Sequence, residues 1–77
     1  MHYDVDYSKV RAGKRRERAI NDIEQYCPGL SATMYYAATM CNTYSQFAFM
    51  CSFAGVQGYP VIAVWDQVKD DCRSMTE

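Results

Sequence analysis

The sequence predicts an all-α fold, a compact three-helix domain, and three observations carry that expectation. Apolar residues recur at helical spacing in three separate stretches. Clusters of Pro and Gly at Cys27-Pro28-Gly29 and Gly55-Val56-Gln57-Gly58 separate those stretches. The forty-one residues from Gln25 to Trp65 contain no Asp, Glu, Lys or Arg, so this middle run has to supply most of the core of a 77-residue chain. Its large aromatics (Tyr26, Tyr35, Tyr36, Tyr44, Phe47, Phe49, Phe53, Tyr59 and Trp65) provide the area. A chain of this length is expected to form one small domain, residues 1–77.

At the N-terminus, Tyr3, Val5 and Tyr7 alternate with Asp4 and Asp6, which reads as a short strand or an extended arm over residues 1–7. A first helix is expected over about 9–27. Ser8 is its cap, a basic run forms its first turns, and Ala19/Ile20, Ile23 and Tyr26/Cys27 form its apolar stripe. Gly13 weakens those first turns and places the ordered start near Lys14; Pro28 and Gly29 end the helix.

Ser31 is the natural cap of a second helix running over 32–54 without Gly or Pro. A large stripe (Tyr36, Met40, Thr43, Phe47, Met50, Ala54) and a small one (Ala37/Ala38, Cys41, Ser45, Ala48, Ser52, Gly55) both keep helical phase, and a helix apolar on nearly every side is expected to be the central one. The alternative is α+β with a hairpin over 34–53, because Phe47, Phe49, Cys51 and Phe53 alternate; against it, Cys41-Asn42-Thr43 has no Gly for a tight turn. Pro60 suits the first turn of a third helix over 60–75. Val61, Val64/Trp65, Val68, Cys72 and Met75 form its apolar stripe, and Asp66, Lys69, Asp70 and Arg73 are expected on the solvent side.

The formal net charge of −1 hides a polarity along the chain. Lys9, Arg11, Lys14, Arg15, Arg16 and Arg18 against Glu17 give residues 9–18 a charge of 6 − 1 = +5, and the remainder carries 2 − 8 = −6. The N-terminal residues are acidic and no apolar segment follows them, so neither an export signal nor a membrane association is expected. The setting is then cytoplasmic, with Cys27, Cys41, Cys51 and Cys72 as reduced, buried thiols.

Catalytic and cofactor chemistry finds no constellation. The cysteines are separated by 14, 10 and 21 residues, and only His2 could supplement them, whereas structural zinc needs closely spaced pairs. A cysteine nucleophile would need a base beside it. Asp66 and Asp70, with Asp71 adjacent, read as a solvated face, and Gly55-x-x-Gly58 lacks the Lys and Ser/Thr of a phosphate loop. No enzyme activity, cofactor or metal is expected.

Met50-Cys51-Ser52-Phe53-Ala54-Gly55-Val56, followed by Val61, places a small residue four before a turn Gly, then an aliphatic residue, then an aliphatic anchor. That pattern resembles the middle of a helix-turn-helix DNA-binding motif. The resemblance implies a recognition helix over 58–68, with Gln57 and Tyr59 near its start. That segment has no Lys or Arg before Lys69, so the expected role is a packing unit whose second helix is core.

The leading functional expectation is a non-enzymatic protein-interaction module. Its contact surface would be Lys9, Arg11, Lys14, Arg15, Arg16 and Arg18 with Tyr3 and Tyr7, docking on another protein or a nucleoprotein complex with an acidic surface. In general character such a chain resembles the small inhibitors of phages and mobile elements, anti-CRISPR proteins among them, which act by occluding a partner's surface. The alternative is a small nucleic-acid-binding regulator using the basic 9–18 helix or a degenerate helix-turn-helix at 46–68. A homodimer fits either reading, because the uncharged middle exceeds what one small core hides.

Overall fold

A computed structural model describes residues 14–76. The arm expected over 1–7 and the first turns before Lys14, with Tyr3, Tyr7, Lys9 and Arg11, lie outside the described residues. The fold is all-α, with four helices among the described residues where the sequence predicts three: α1 (Lys14–Tyr26), α2 (Leu30–Thr39), α3 (Tyr44–Phe53) and α4 (Tyr59–Thr76). The alternative hairpin over 34–53 is overturned, because that segment is helical on both sides of a short turn and no strand occurs among the described residues.

Each boundary has a local cause. After α1, Gly29 turns the chain at φ 87°, and the Glu24 carboxylate accepts hydrogen bonds from the backbone N–H groups of Gly29 (3.0 Å) and Ser31 (3.1 Å) and from the Ser31 hydroxyl. Ser31 is therefore not itself the cap: Glu24 satisfies the free N–H groups of α2. The Ser31 hydroxyl first, then the Gly29 and Ser31 amides, hold the Glu24 carboxyl below its usual range.

The expected single helix over 32–54 is broken at residues 40–43. The last turn of α2 tightens as the N–H groups of Met40 and Cys41 donate to the carbonyls of Ala37 and Ala38. Thr43 then takes extended backbone (φ −131°, ψ 155°) and forms a capping box with Gln46. The Thr43 hydroxyl accepts from the Gln46 N–H at 3.3 Å, and Gln46 Oε1 accepts from the N–H groups of Asn42 (2.8 Å) and Thr43 (3.3 Å). Three backbone donors satisfied by two side chains make a new helix start without any Gly or Pro. At the other end of α3, Gly55 at φ 80° closes a Schellman turn, in which Val56 N–H donates to the Cys51 carbonyl and Gly55 N–H to that of Ser52.

The central helix is α4, which touches each of the other three, whereas α1 and α3 do not touch each other. Val61, Ile62, Ala63 and Val64 are four consecutive buried residues, more than one full turn, so α4 is enclosed on all sides where it begins. This corrects the central place expected for 32–54: α2 and α3 each bury one narrow face, Met34 and Ala38 on α2, Phe47 and Cys51 on α3. The expected large stripe is also split. Phe47 is fully buried, stacked 5.6 Å from Trp65, but Tyr36, Met40 and Met50 are exposed because the turn at 40–43 resets the helical phase. Cys51, Val56 and Val61, the anchor positions of the pattern that resembles a helix-turn-helix, are buried where α3 meets α4. No helix of the described residues is long and apolar enough to cross a membrane.

The two ends of this packing scale have different expected costs. Phe47→Ala should lower stability by about 3–5 kcal/mol, Thr43→Ala by about 1 kcal/mol through loss of the cap, and Phe53→Ala by about 1 kcal/mol through loss of its edge-to-face contact with Phe49. Urea unfolding followed by circular dichroism measures all three; a Phe53→Ala cost matching that of Phe47→Ala would contradict the burial pattern.

Candidate interaction surfaces

The side of α1 that faces α4 is set by Ile23, which is buried, Ile20, which is half-buried, and Arg16, in i, i+4, i+7 register. Arg16 therefore turns inward. Its Nη1 lies 2.9 Å from Asp66 Oδ2 and 2.8 Å from Asp70 Oδ2, and only 14% of the side chain is exposed. Burial by itself would lower the Arg16 pKa, but the hydrogen bonds and charges of Asp70 and Asp66 outweigh it and leave the pKa raised. Asp66 is 4% exposed, which corrects the solvent-facing position expected from the sequence: on α4 it lies on the side covered by α1. Asp70 also accepts from Arg73 Nη1 at 3.3 Å. A parallel seam joins α2 to α4, where the Tyr35 hydroxyl donates to Asp71 Oδ2 at 2.6 Å and Gln67 Nε2 donates to Asp71 Oδ1 at 2.8 Å. The bond to Asp71 first, then burial, push the Tyr35 phenol up to about 12.

With Arg16 turned inward, the expected basic contact surface is divided. Lys14, Arg15 and Arg18 are exposed and fall within about 100° of arc on α1, and none has an ion-pair partner among the described residues. The Arg15 guanidinium lies 5.9 Å from the centre of the Tyr59 ring, at the outer limit of a cation–π contact. Arg16 belongs to the fold and not to the contact surface.

A second surface was not anticipated. Phe49, Met50 and Phe53 on α3 are 65%, 48% and 78% exposed, and Met40 at the end of α2 is 69% exposed. The Phe49 and Phe53 rings pack edge to face at 5.0 Å. The sequence signal was present: Gln46, Phe49, Met50 and Phe53 stand at i, i+3, i+4, i+7, turned about 130° around the helix from Phe47 and Cys51. It becomes readable only once α3 is known to begin at Tyr44.

A groove of about 520 Å³ between α1, α2 and α4 is lined by Ile20, Val64 and Tyr35 with Arg16, Asn21 and Gln67. Its one cation is already matched by two carboxylates, which leaves the exposed Glu17 carboxylate in its lining as the charge it shows to a ligand. Among the described residues no group of three or more His, Cys, Asp or Glu could hold a metal ion. All four cysteines are free thiols. Cys41 and Cys51 are buried, but Cys27 and Cys72 are exposed, which corrects the expectation of four buried thiols. Burial, then the neighbouring Cys41, push the Cys51 thiol up to about 11, so it stays protonated near neutral pH.

Arg16→Met should lower stability by about 2–3 kcal/mol, since it leaves Asp66 buried beside a neutral side chain; the same change at exposed Arg15 should cost less than about 0.5 kcal/mol. Because the folded Tyr35 pKa is raised above the ordinary 10.0, the contribution of its bond to Asp71 is complete below pH 10 and is lost as pH rises through about 12. An ultraviolet phenolate titration should show a phenol at about 12 that Tyr35→Phe removes; an unchanged titration curve in that variant would refute the assignment. No protein-family model matches this chain, and no curated protein or solved structure does either.

Proposed function

We propose that this chain is a non-enzymatic protein-interaction module that docks on an acidic surface of a partner protein or nucleoprotein complex through the exposed basic side of α1. The observation that supports this is the division of the basic run: Lys14, Arg15 and Arg18 stand together in solvent without ion-pair partners among the described residues, while Arg16 is held inside. Solvated cations of one sign on one side of a helix speed encounter with an acidic surface and discriminate against basic ones. The mode of action in this reading is occlusion, as in the small phage and mobile-element inhibitors of the anti-CRISPR type, and the setting is the cytoplasm.

The same three cations suit phosphates, so nucleic acid is the competing ligand class. A pull-down with tagged protein separates the two when one arm is treated with nuclease and another uses Lys14→Glu/Arg15→Glu/Arg18→Glu, with Arg16 left intact to preserve the fold. Recovery of a protein partner that survives nuclease and is lost with the folded triple variant is the expected result. Normal recovery by that variant would reject the α1 face. Recovery that vanishes with nuclease, with affinity falling at least roughly tenfold between low and physiological salt, would establish the nucleic-acid reading in its place.

A further inference from the structure

The outward side of α3 is built like the inward side of a packed helix. Gln46, Phe49, Met50 and Phe53 form one stripe at i, i+3, i+4, i+7, turned about 130° around the helix from the buried Phe47 and Cys51. The stripe is already ordered: the Phe49 and Phe53 rings brace each other at 5.0 Å, and Met50 Sδ lies 3.5 Å from Cys41 Sγ. Within the described chain nothing covers it, since Phe49 and Phe53 remain 65% and 78% exposed.

Charge decides which occupant fits. The face lies inside the forty-one residues that carry no Asp, Glu, Lys or Arg, so its own residues offer no charge to a charged partner and none of the cations with which an interfacial helix holds anionic lipid. In a two-fold contact each residue meets the same set of residues on the other copy, and a charge near the axis would face its like. A face of Phe, Met and Gln avoids that repulsion and is complementary to itself.

Area points the same way. Taking about 200 Å² for a fully exposed large side chain, Met40, Phe49, Met50 and Phe53 present on the order of 500 Å². Two such faces bury on the order of 1,000 Å² together, the lower bound for a specific contact between two chains.

We propose that α3 is the dimerisation helix, pairing antiparallel with α3 of a second copy of this chain. The stripe is centred between Phe49 and Met50, so the two-fold axis passes there. Phe49 of each copy packs on Met50 of the other, an aromatic–sulfur contact, and Phe53 packs over Gln46. Because α1 and α3 do not touch, this interface leaves Lys14, Arg15 and Arg18 free, and it stands or falls independently of the partner-binding reading above.

Sedimentation equilibrium of the full chain across nanomolar to high-micromolar concentration tests this. The expected result is a particle of two chains that dissociates on dilution. Phe49→Glu/Phe53→Glu is expected to be monomeric at every concentration with an unchanged helical circular-dichroism spectrum. If that variant loses its helical signal, Phe53→Gln alone should raise the dimer dissociation constant by about tenfold. Lys14→Glu/Arg15→Glu/Arg18→Glu should dimerise normally. A wild-type chain that is monomeric throughout, a folded Phe49→Glu/Phe53→Glu variant that still dimerises, or loss of the dimer in the α1 variant would each overturn the proposal.

Discussion

A carboxylate buried on the central helix needs a cation, and this requirement organises the rest of the molecule. Asp66 is 4% exposed on α4, where an unpaired charge would cost several kcal/mol. Arg16 answers it, and by bonding Asp66 and Asp70 together, one turn apart at 2.9 and 2.8 Å, it fixes both the height and the rotation of α1 on α4. Apolar residues of similar volume often hold helices together as well as a buried ion pair does, so what the pair adds here is direction, tying Arg16 of α1 to one turn of α4. Once Arg16 faces in, helical geometry turns Lys14, Arg15 and Arg18 out. The exposed basic side of α1 is therefore a consequence of how the core is matched.

The helix ends nearest charged or Pro/Gly-containing segments were legible in the sequence. Tyr26 as the end of α1 and Tyr59 as the start of α4 follow from Pro28-Gly29 and Gly58-Tyr59-Pro60, and the 3.6-residue periods of α1 and α4 are readable from their apolar residues, whereas charge misleads at Arg16 and Asp66, which turn inward. Between them the absence of charge left no polar contrast. With apolar residues on every side, the phase of 32–54 had no polar reference, and a long continuous helix was the simplest reading. The break was encoded differently, in Thr43-x-x-Gln46, a pattern that competes with helix continuation through side-chain hydrogen bonds alone. Freedom from charge was also mistaken for centrality. Position in the fold decides burial, and the helix enclosed by the other three is the one that carries Asp66, Asp70 and Asp71 from its middle onward.

The candidate surfaces follow the same division. The basic run was visible as a cluster, but a count of charges does not distinguish a cation that matches a buried acid from one that is solvated. The i, i+4, i+7 relation of Arg16 to Ile20 and Ile23 carried that distinction in the sequence itself. The apolar side of α3 could not be separated from core-forming positions by residue type, since Phe47 and Phe49 are chemically identical and differ only in which way a ten-residue helix presents them.

The two surfaces bear on each other through valence. Exposed charge pairs contribute about 0.2–1 kcal/mol each, so three solvated cations on one face give a single copy a weak and salt-sensitive grip. A pair of chains joined through α3 would carry two such faces on helices that take no part in the joining, and engagement of the first would make the second intramolecular. Gains of about 10²–10⁴ in overall affinity then require no new contact. They do require an acidic target broad or repeated enough to meet both faces. For a chain this small, that combination supplies through assembly the reach and the contact area that its single core is too small to provide.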